Sequence, residues 1–262
     1  MKPNRLKLWK DGRIIYYSKE ADAGFWDNLW EGQISWEYYK EYESGILGEY
    51  YPFFEKYLSR EDHILEAGCG TGRYVVALKA RGYKFVNGID WGKQTIDKVK
   101  SIFPDLPVAV GDATKVNVGN DYYDGYISLG VVEHREAGPE PFLIEAYRII
   151  KPGGYAFFSV PYVNPLRNMK RILGYYGPRD LTGLTFYQYA FNKLDFRNFL
   201  EEAGFHLVKI HGVSGIYGLK EELPLLAWLL NNTPGAWRIE AFLKKIKWFD
   251  CFGHMILFIC KK

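Results

Sequence analysis

Three alternating glycines follow an acidic residue at the end of a short apolar strand, and this loop constrains the fold more than any other stretch. Residues 63–72 read HILEAGCGTG, with the acid at Glu66 and the glycines at Gly68, Gly70 and Gly72. Glycine lets a backbone turn sharply and approach a ligand closely, because no Cβ intervenes. A predicted helix follows, and its first N–H groups would face that ligand.

The spacing distinguishes this loop from a dinucleotide site, whose fingerprint is G-x-G-x-x-G. Here the pattern is E-x-G-x-G-x-G. The Glu66 carboxylate would repel a pyrophosphate, but it would hold a ligand that carries a cationic amino group. An ordinary glycine-rich turn is the alternative for the glycines alone, so the downstream spacing has to decide.

Acidic residues recur at the ends of the next two predicted strands. The strand FVNGID ends at Asp90, about 20 residues past the loop, as expected for a carboxylate that binds ribose hydroxyls. Trp91 follows, and its flat face suits packing against adenine. Asp90 could also cap the helix that comes next, and the two roles are compatible. The third strand, VAVGDAT, ends at Asp112.

Strands and helices alternate from His63 to Pro161, which predicts a parallel sheet with helices on both faces. Ligands of such folds bind at the carboxyl ends of the strands. Glu66, Asp90, Asp112 and Ser128 all lie at predicted strand ends. We therefore expect them to meet at one crevice.

These motifs, in this order, resemble the class I S-adenosylmethionine-dependent methyltransferases of the methyltransferase type 11 group, over roughly residues 60–213 and again at the last strand. The resemblance implies an α/β, Rossmann-like seven-stranded sheet with its last strand antiparallel, and S-adenosyl-L-methionine as cofactor. It implies that Asp112 accepts from the adenine amino group. The cofactor-binding residues expected from it are Glu66, Gly68, Cys69, Gly70, Thr71, Gly72, Asp90, Trp91, Asp112, Ala113, Ser128, Leu129 and Gly130.

His134, just past the fourth strand, is the candidate general base for a hydroxyl acceptor. A structural histidine bonded to nearby backbone is the alternative. The segment LGVVEH also resembles the quinone-biosynthesis O-methyltransferases, in which an acid three residues before the Glu-His pair helps to hold a metal. Gly130 stands at that position, so we predict no metal site, although Glu133 and His134 keep the pair.

The chain divides into a predicted N-terminal aromatic lid, residues 1–60, and a methyltransferase domain, residues 61–262, with insertions at about 162–190 and 214–250. Within the lid, KLWKDGRIIYY predicts a hairpin around its Asp-Gly turn, and Ser35 predicts the start of a helix interrupted near Gly48 or Pro52. The alternative to a lid is that Trp26, Trp30 and Trp36 cover the sheet as core.

A net charge of +3, from 34 basic and 31 acidic residues, implies no nucleic-acid partner. Three cysteines without metal-ligand spacing, and no apolar signal core in the first residues, predict a cytoplasmic location.

We expect O-methylation of a small molecule in glycan, lipid or natural-product biosynthesis. N- or C-methylation, or a non-catalytic scaffold on membranes, are the alternatives. Residues 241–249, AFLKKIKWF, form a basic amphipathic stretch compatible with weak peripheral membrane association. The alternative is a surface helix packed on the domain. Oligomeric state is left open.

Overall fold

A seven-stranded sheet and a three-stranded sheet organise the chain in the computed structural model, which describes residues 6–18, 30, 34–244 and 246–262. The strands of this part of the chain, in order, are β1 (Leu6–Lys10), β2 (Arg13–Ser18), β3 (His63–Ala67), β4 (Phe85–Asp90), β5 (Val108–Val110), β6 (Tyr123–Leu129), β7 (Ile150–Pro161), β8 (Thr185–Ala190), β9 (His206–Val213) and β10 (Met255–Lys261).

The larger sheet has the strand order β5-β4-β3-β6-β7-β10-β9. Its last strand, β10, runs antiparallel to both β7 and β9, and the remaining pairs are parallel. The predicted fold class is therefore confirmed. One detail is wrong: β5 ends at Val110, so Asp112 lies in the loop beyond the strand rather than at its last residue.

Helices cover both faces of this sheet. The α-helices of the described part of the chain, in order, are α1 (Trp36–Glu43), α2 (Tyr51–Tyr57), α3 (Arg73–Ala80), α4 (Lys93–Ile102), α5 (Glu140–Ile149), α6 (Pro165–Ile172), α7 (Lys193–Glu202), α8 (Gly215–Glu222), α9 (Pro224–Asn232) and α10 (Ala236–Leu243). Successive strand residues point to opposite faces. Ile64 accordingly joins a core with residues of α1 to α4, whereas Leu65 joins a second core with α5 and α7.

The smaller sheet, in the order β1-β2-β8, joins the N-terminal hairpin to the first insertion. The predicted hairpin is present, and Asp11 and Gly12 at its turn both have positive φ angles. Strand β8 pairs antiparallel with β2. The insertion at residues 162–190 therefore extends a sheet that the N-terminal segment begins.

The helix predicted from Ser35 begins as expected, because the Ser35 hydroxyl accepts the N–H of Tyr38 at 3.3 Å. It breaks earlier than predicted, at Ser44, and a short 3-10 turn leads into α2. Pro52 lies in the first turn of α2, where its missing N–H costs no hydrogen bond.

A buried ionic cluster connects the two insertions. The Arg167 side chain on α6 is fully buried and donates to Glu221 and Glu222 on α8, at 2.5 and 2.9 Å. Lys170 and, at a longer distance, Lys7 of β1 also contact Glu222. Paired charges of this kind avoid the large cost of burying a single ion.

The second insertion contributes α8, α9, α10 and the 3-10 helix Lys247–Phe252. None of the helices described is long and apolar enough to cross a membrane.

Candidate active site

A cavity of about 550 Å³ lies at the carboxyl ends of β3, β4 and β6, in the size range of small-molecule sites. The glycine loop forms its floor. Gly68, Gly70 and Gly72 all have positive φ angles, a conformation that other residues rarely adopt. A Cβ on Gly68 would overlap with the side chain of Val131. The loop therefore needs glycine both for its backbone conformation and for its packing.

Asp90 holds this loop in place. Its Oδ2 accepts the N–H of Gly70 at 2.8 Å, and its Oδ1 accepts the N–H of Gly92 at 2.9 Å. The second bond joins Asp90 to the residue that precedes α4, so the carboxylate serves the turn into that helix as well.

Glu66 is a buried carboxyl group that borders the cavity. Its Oε2 has no hydrogen-bond partner among the described residues. Burial raises the pKa of Glu66 to about 8, because the charged form loses its hydration; Arg73 opposes this shift and Asp90 adds to it. A buried, unpartnered carboxylate oxygen fits the cationic end of an amino acid ligand.

Arg73, which sequence reasoning missed, borders the cavity beside Glu66. It is the first residue of α3, and its guanidinium lies 4.9 Å from the ring centre of Tyr74. The cavity therefore presents an acid and a base side by side. The available signal was a basic residue directly after the glycine loop.

The far side of the cavity combines flat and polar groups. Trp91 is 65% exposed and borders the cavity, as does Phe142 of α5. Asp112 also borders it, and its Oδ1 accepts from both the N–H and the hydroxyl of Thr114 at 2.7 Å. These side chains can sandwich and hydrogen-bond a planar heterocycle.

His134 borders the same cavity, and its ring is held by the first insertion. The Nδ1 atom lies 2.8 Å from the backbone carbonyl oxygen of Tyr187 on β8. A carbonyl can only accept, so Nδ1 donates, and the neutral ring carries its lone pair on Nε2. The Nε2 atom lies 3.8 Å from Oε1 of Glu133, a buried residue whose pKa burial raises to about 8.

The structure brings most of the predicted site residues together around the cavity: Glu66, Gly68, Cys69, Gly70, Thr71, Asp90, Trp91, Asp112, Ala113, Leu129, Gly130 and His134. Gly72 and Ser128 do not border it. Gly72 instead packs near Leu106 and Val108, and Ser128 is buried in β6. Trp30, from the segment predicted to be a lid, also borders the cavity. Cavity residues that sequence reasoning missed are Arg73, Tyr74, Gly111, Thr114, Val131, Arg135, Glu136 and Phe142. No group of three or more potential metal ligands occurs in the described part of the chain.

Comparison with known proteins agrees with this geometry. Residues 65–158, which contain the glycine loop and the ends of β4 to β6, match the family described as "Methyltransferase domain". The chain carries a class I methyltransferase domain. The family and the fold of this methyltransferase domain imply S-adenosyl-L-methionine as its cofactor.

Curated relatives resemble the domain over part of their length. A probable S-adenosylmethionine-dependent methyltransferase of Mycolicibacterium smegmatis is 29% identical over 60% of this chain and 57% of its own length. A ubiquinone biosynthesis O-methyltransferase of Proteus mirabilis is 30% identical over 37% of this chain and 40% of its own. The chain thus spans about half the length of these relatives.

The methyltransferase fold extends over almost the whole chain. A structure of a complex between the Haloferax volcanii Trm112 methyltransferase activator and its methyltransferase matches 93% of this chain and 97% of its own. The TM-score is 0.59 and the sequence identity 18%. At this identity the likeness concerns the fold alone.

Replacing Glu66 by Gln should stabilise the ligand-free protein at alkaline pH. An unfolded Glu ionises near pH 4.3, whereas folding raises the pKa of Glu66 to about 8. The folded protein therefore binds more protons between these values, and the free energy of unfolding falls as pH rises through this window. Gln removes this loss.

The measurement is the thermal midpoint of both proteins at pH 5 and pH 8. From pH 5 to pH 8, the thermal midpoint of the wild type should fall by at least about 2 °C more than that of Glu66→Gln. This is the shift that about 1 kcal/mol produces in a domain of this size. Glu61→Gln, at an exposed position, is the control and should show no such difference. If the midpoints of the wild type and Glu66→Gln differ by the same amount at both pH values, the pKa of Glu66 is not raised.

Proposed function

We propose that the protein transfers the methyl group of S-adenosyl-L-methionine to an oxygen atom of a small molecule. One observation carries the proposal: Glu66, whose Oε2 atom has no hydrogen-bond partner among the described residues, and the held imidazole of His134 border the same cavity. When bound, the cofactor supplies a methyl group already activated on a sulfonium. The protein then has to align the reactants, exclude water and remove one proton.

The binding role of each residue follows from its charge and its place at the border of the cavity. Glu66 receives the ammonium group of the methionyl end, and Arg73 receives its carboxylate. Asp90, at the end of β4, accepts the ribose hydroxyls. Asp112 accepts from the adenine amino group, and Trp91 packs against the ring.

His134 acts as the general base. The acceptor hydroxyl gives its proton to Nε2, because the Tyr187 carbonyl holds the other ring nitrogen as a donor. The resulting imidazolium lies beside Glu133, whose carboxyl group ionises more readily next to a cation. The name of the ubiquinone biosynthesis O-methyltransferase relative also supports an oxygen acceptor. The substrate would belong to glycan, lipid or natural-product biosynthesis, and no nucleic-acid partner is expected.

Cofactor binding should depend on Glu66 and should release a proton. At pH 6.5 the carboxyl group of the free protein is protonated, since its pKa is about 8, and it must ionise to hold the ammonium group. Calorimetry with S-adenosylhomocysteine, in two buffers of different ionisation enthalpy, should therefore show release of close to one proton. Glu66→Gln should abolish this release and weaken binding about 10- to 100-fold, as for a lost hydrogen bond to a charged group.

Asp112→Asn provides the matched control for this experiment, because Asp112 borders the cavity but is not among the groups that shift the pKa of Glu66. It should weaken binding through the adenine contact yet leave the proton release unchanged. A Glu66→Gln protein that binds as tightly as the wild type, with the same proton release, would remove Glu66 from the cofactor site.

Substitution of His134 should separate its catalytic role from a structural one. Turnover is measured on an acceptor found by product mass in a panel of metabolites. His134→Asn keeps a donor near the Nδ1 position but lacks Nε2, so it should fold normally and lose about 10²- to 10⁴-fold in turnover. His134→Ala should lose a similar amount and also melt lower. S-adenosylhomocysteine affinity should stay near normal in both. If His134→Asn retains its turnover, an amine acceptor becomes the better assignment, because a neutral amine brings its own lone pair.

The N-terminal segment is proposed to act as a lid over the cofactor. Trp30 borders the cavity, and the hydroxyls of Tyr38 and Tyr39 on α1 lie 3.1 and 2.5 Å from Thr71 of the glycine loop. Trp36 packs edge-on against Phe103 instead, and Trp26 lies outside the described residues.

A lid that orders on ligand binding should exchange its amide hydrogens more slowly when the cofactor site is filled. We expect S-adenosylhomocysteine to slow exchange across residues 34–43 and to leave α7, on the other face of the sheet, unchanged. Equal exchange of residues 34–43 with and without ligand would make this segment a static part of the core.

A further inference from the structure

Residues 223–248, which we call the exposed helical segment, present apolar side chains to solvent. Of the 22 large hydrophobic side chains that are exposed in the described part of the chain, eight lie in this segment, about a tenth of the sequence. Three of the eight are tryptophans, Trp228, Trp237 and Trp248, each more than 60% exposed. Such a concentration marks an interaction surface rather than scattered surface residues.

Helix α9 shows this exposure of apolar side chains most clearly. Its sequence is PLLAWLLNN, yet none of its residues is buried. Trp228 and Leu229 come three and four residues after Leu225, so the three side chains share one face. A helix of this length depends on packing of its apolar face for stability. These three side chains are 71%, 61% and 44% exposed, so the described part of the chain leaves much of this face open to solvent.

The same segment carries the net charge of the protein. It contains four basic residues, Arg238, Lys244, Lys245 and Lys247, and a single acid, Glu240. The rest of the chain has 30 basic and 30 acidic residues, so its charges balance. Lys220 and Lys244 both pair with Glu240 at 3.0 Å, which neutralises the one acid.

The segment belongs to an insertion at the cavity edge of the large sheet. It lies between the end of β9 and the start of β10, and the antiparallel direction of β10 puts both points at the edge where the cavity opens. Helix α6, which contacts α8 and the 3-10 helix 247–252, adds exposed apolar side chains at Met169, Ile172 and Leu173.

We propose that the exposed helical segment binds the surface of an anionic lipid bilayer. Apolar helices rich in tryptophan, lysine and arginine lie in the interface of such bilayers, where the apolar side chains are buried and the cations meet lipid phosphates. A second copy of the chain is disfavoured as occupant. A twofold interface places the same patch on both subunits, and two patches with excess positive charge repel each other.

The test is co-sedimentation of the full-length protein with vesicles of phosphatidylcholine, with and without 30% phosphatidylglycerol. Wild type should bind the anionic vesicles, bind neutral ones weakly, and lose binding as salt is raised. Trp228→Ser with Trp237→Ser should reduce partitioning at least about tenfold. Arg238→Gln with Lys247→Gln should reduce it about fivefold for each charge removed, on anionic vesicles only.

The control pair is Ile144→Ser with Leu194→Ser, which removes side chains of similar exposure, 60% and 66%, from α5 and α7. It should bind vesicles like the wild type, and all variants should keep the wild-type melting temperature within a few degrees. The proposal is overturned if wild type binds neither vesicle. It is also overturned if the control pair lowers binding as much as the tryptophan pair, or if the wild type forms a dimer that only the tryptophan pair dissociates.

Discussion

The carboxylate of Asp90 is the contact on which the arrangement of the site depends. One oxygen accepts the Gly70 N–H from the first loop and the other accepts the Gly92 N–H before α4, so a single side chain joins the ends of two adjacent strands. Glycine adopts many backbone conformations without strain, so the bond to Gly70 selects one of those open to this loop. With the loop held, Glu66 stays buried at the border of the cavity.

Peripheral parts of the chain are held by buried charges as well as by a small hydrophobic cluster of their own. Arg167 is fully buried, and it bonds to acids of the second insertion and to the backbone carbonyl oxygen of Tyr162. Lys7 brings the N-terminal hairpin to the same acids. The net stability that such a cluster adds is small, because desolvation of the charges offsets their attraction. Three segments far apart in sequence thereby form one unit beside the methyltransferase sheet.

Local signals predicted the features that depend on local chemistry. The glycine loop, the strand-end acid Asp90, the Asp-Gly turn of the hairpin and the Ser35 cap each depend on a few consecutive residues, and the structure contains all four. The pairing of β2 with β8 was not predicted, because it joins residues more than 150 positions apart and neither strand specifies its partner. The cavity residues Arg73 and Phe142 were missed for a related reason. Their helices were foreseen, but the helix face that each side chain occupies depends on tertiary packing.

The hydrogen bond between His134 and the Tyr187 carbonyl joins the portion of the chain that matches the methyltransferase family to the first insertion. The histidine lies in the portion that matches the methyltransferase family, residues 65–158, whereas the carbonyl lies beyond it, on β8. A chimaera that kept the matching portion and took residues 162–190 from a relative would retain the acceptor for the Nδ1 proton only if the new segment placed a carbonyl oxygen at the same point. Without that oxygen the imidazole could exchange tautomers. The insertion and the matching portion therefore share one hydrogen bond at the proposed base, and a change in the insertion bears on the tautomer of His134.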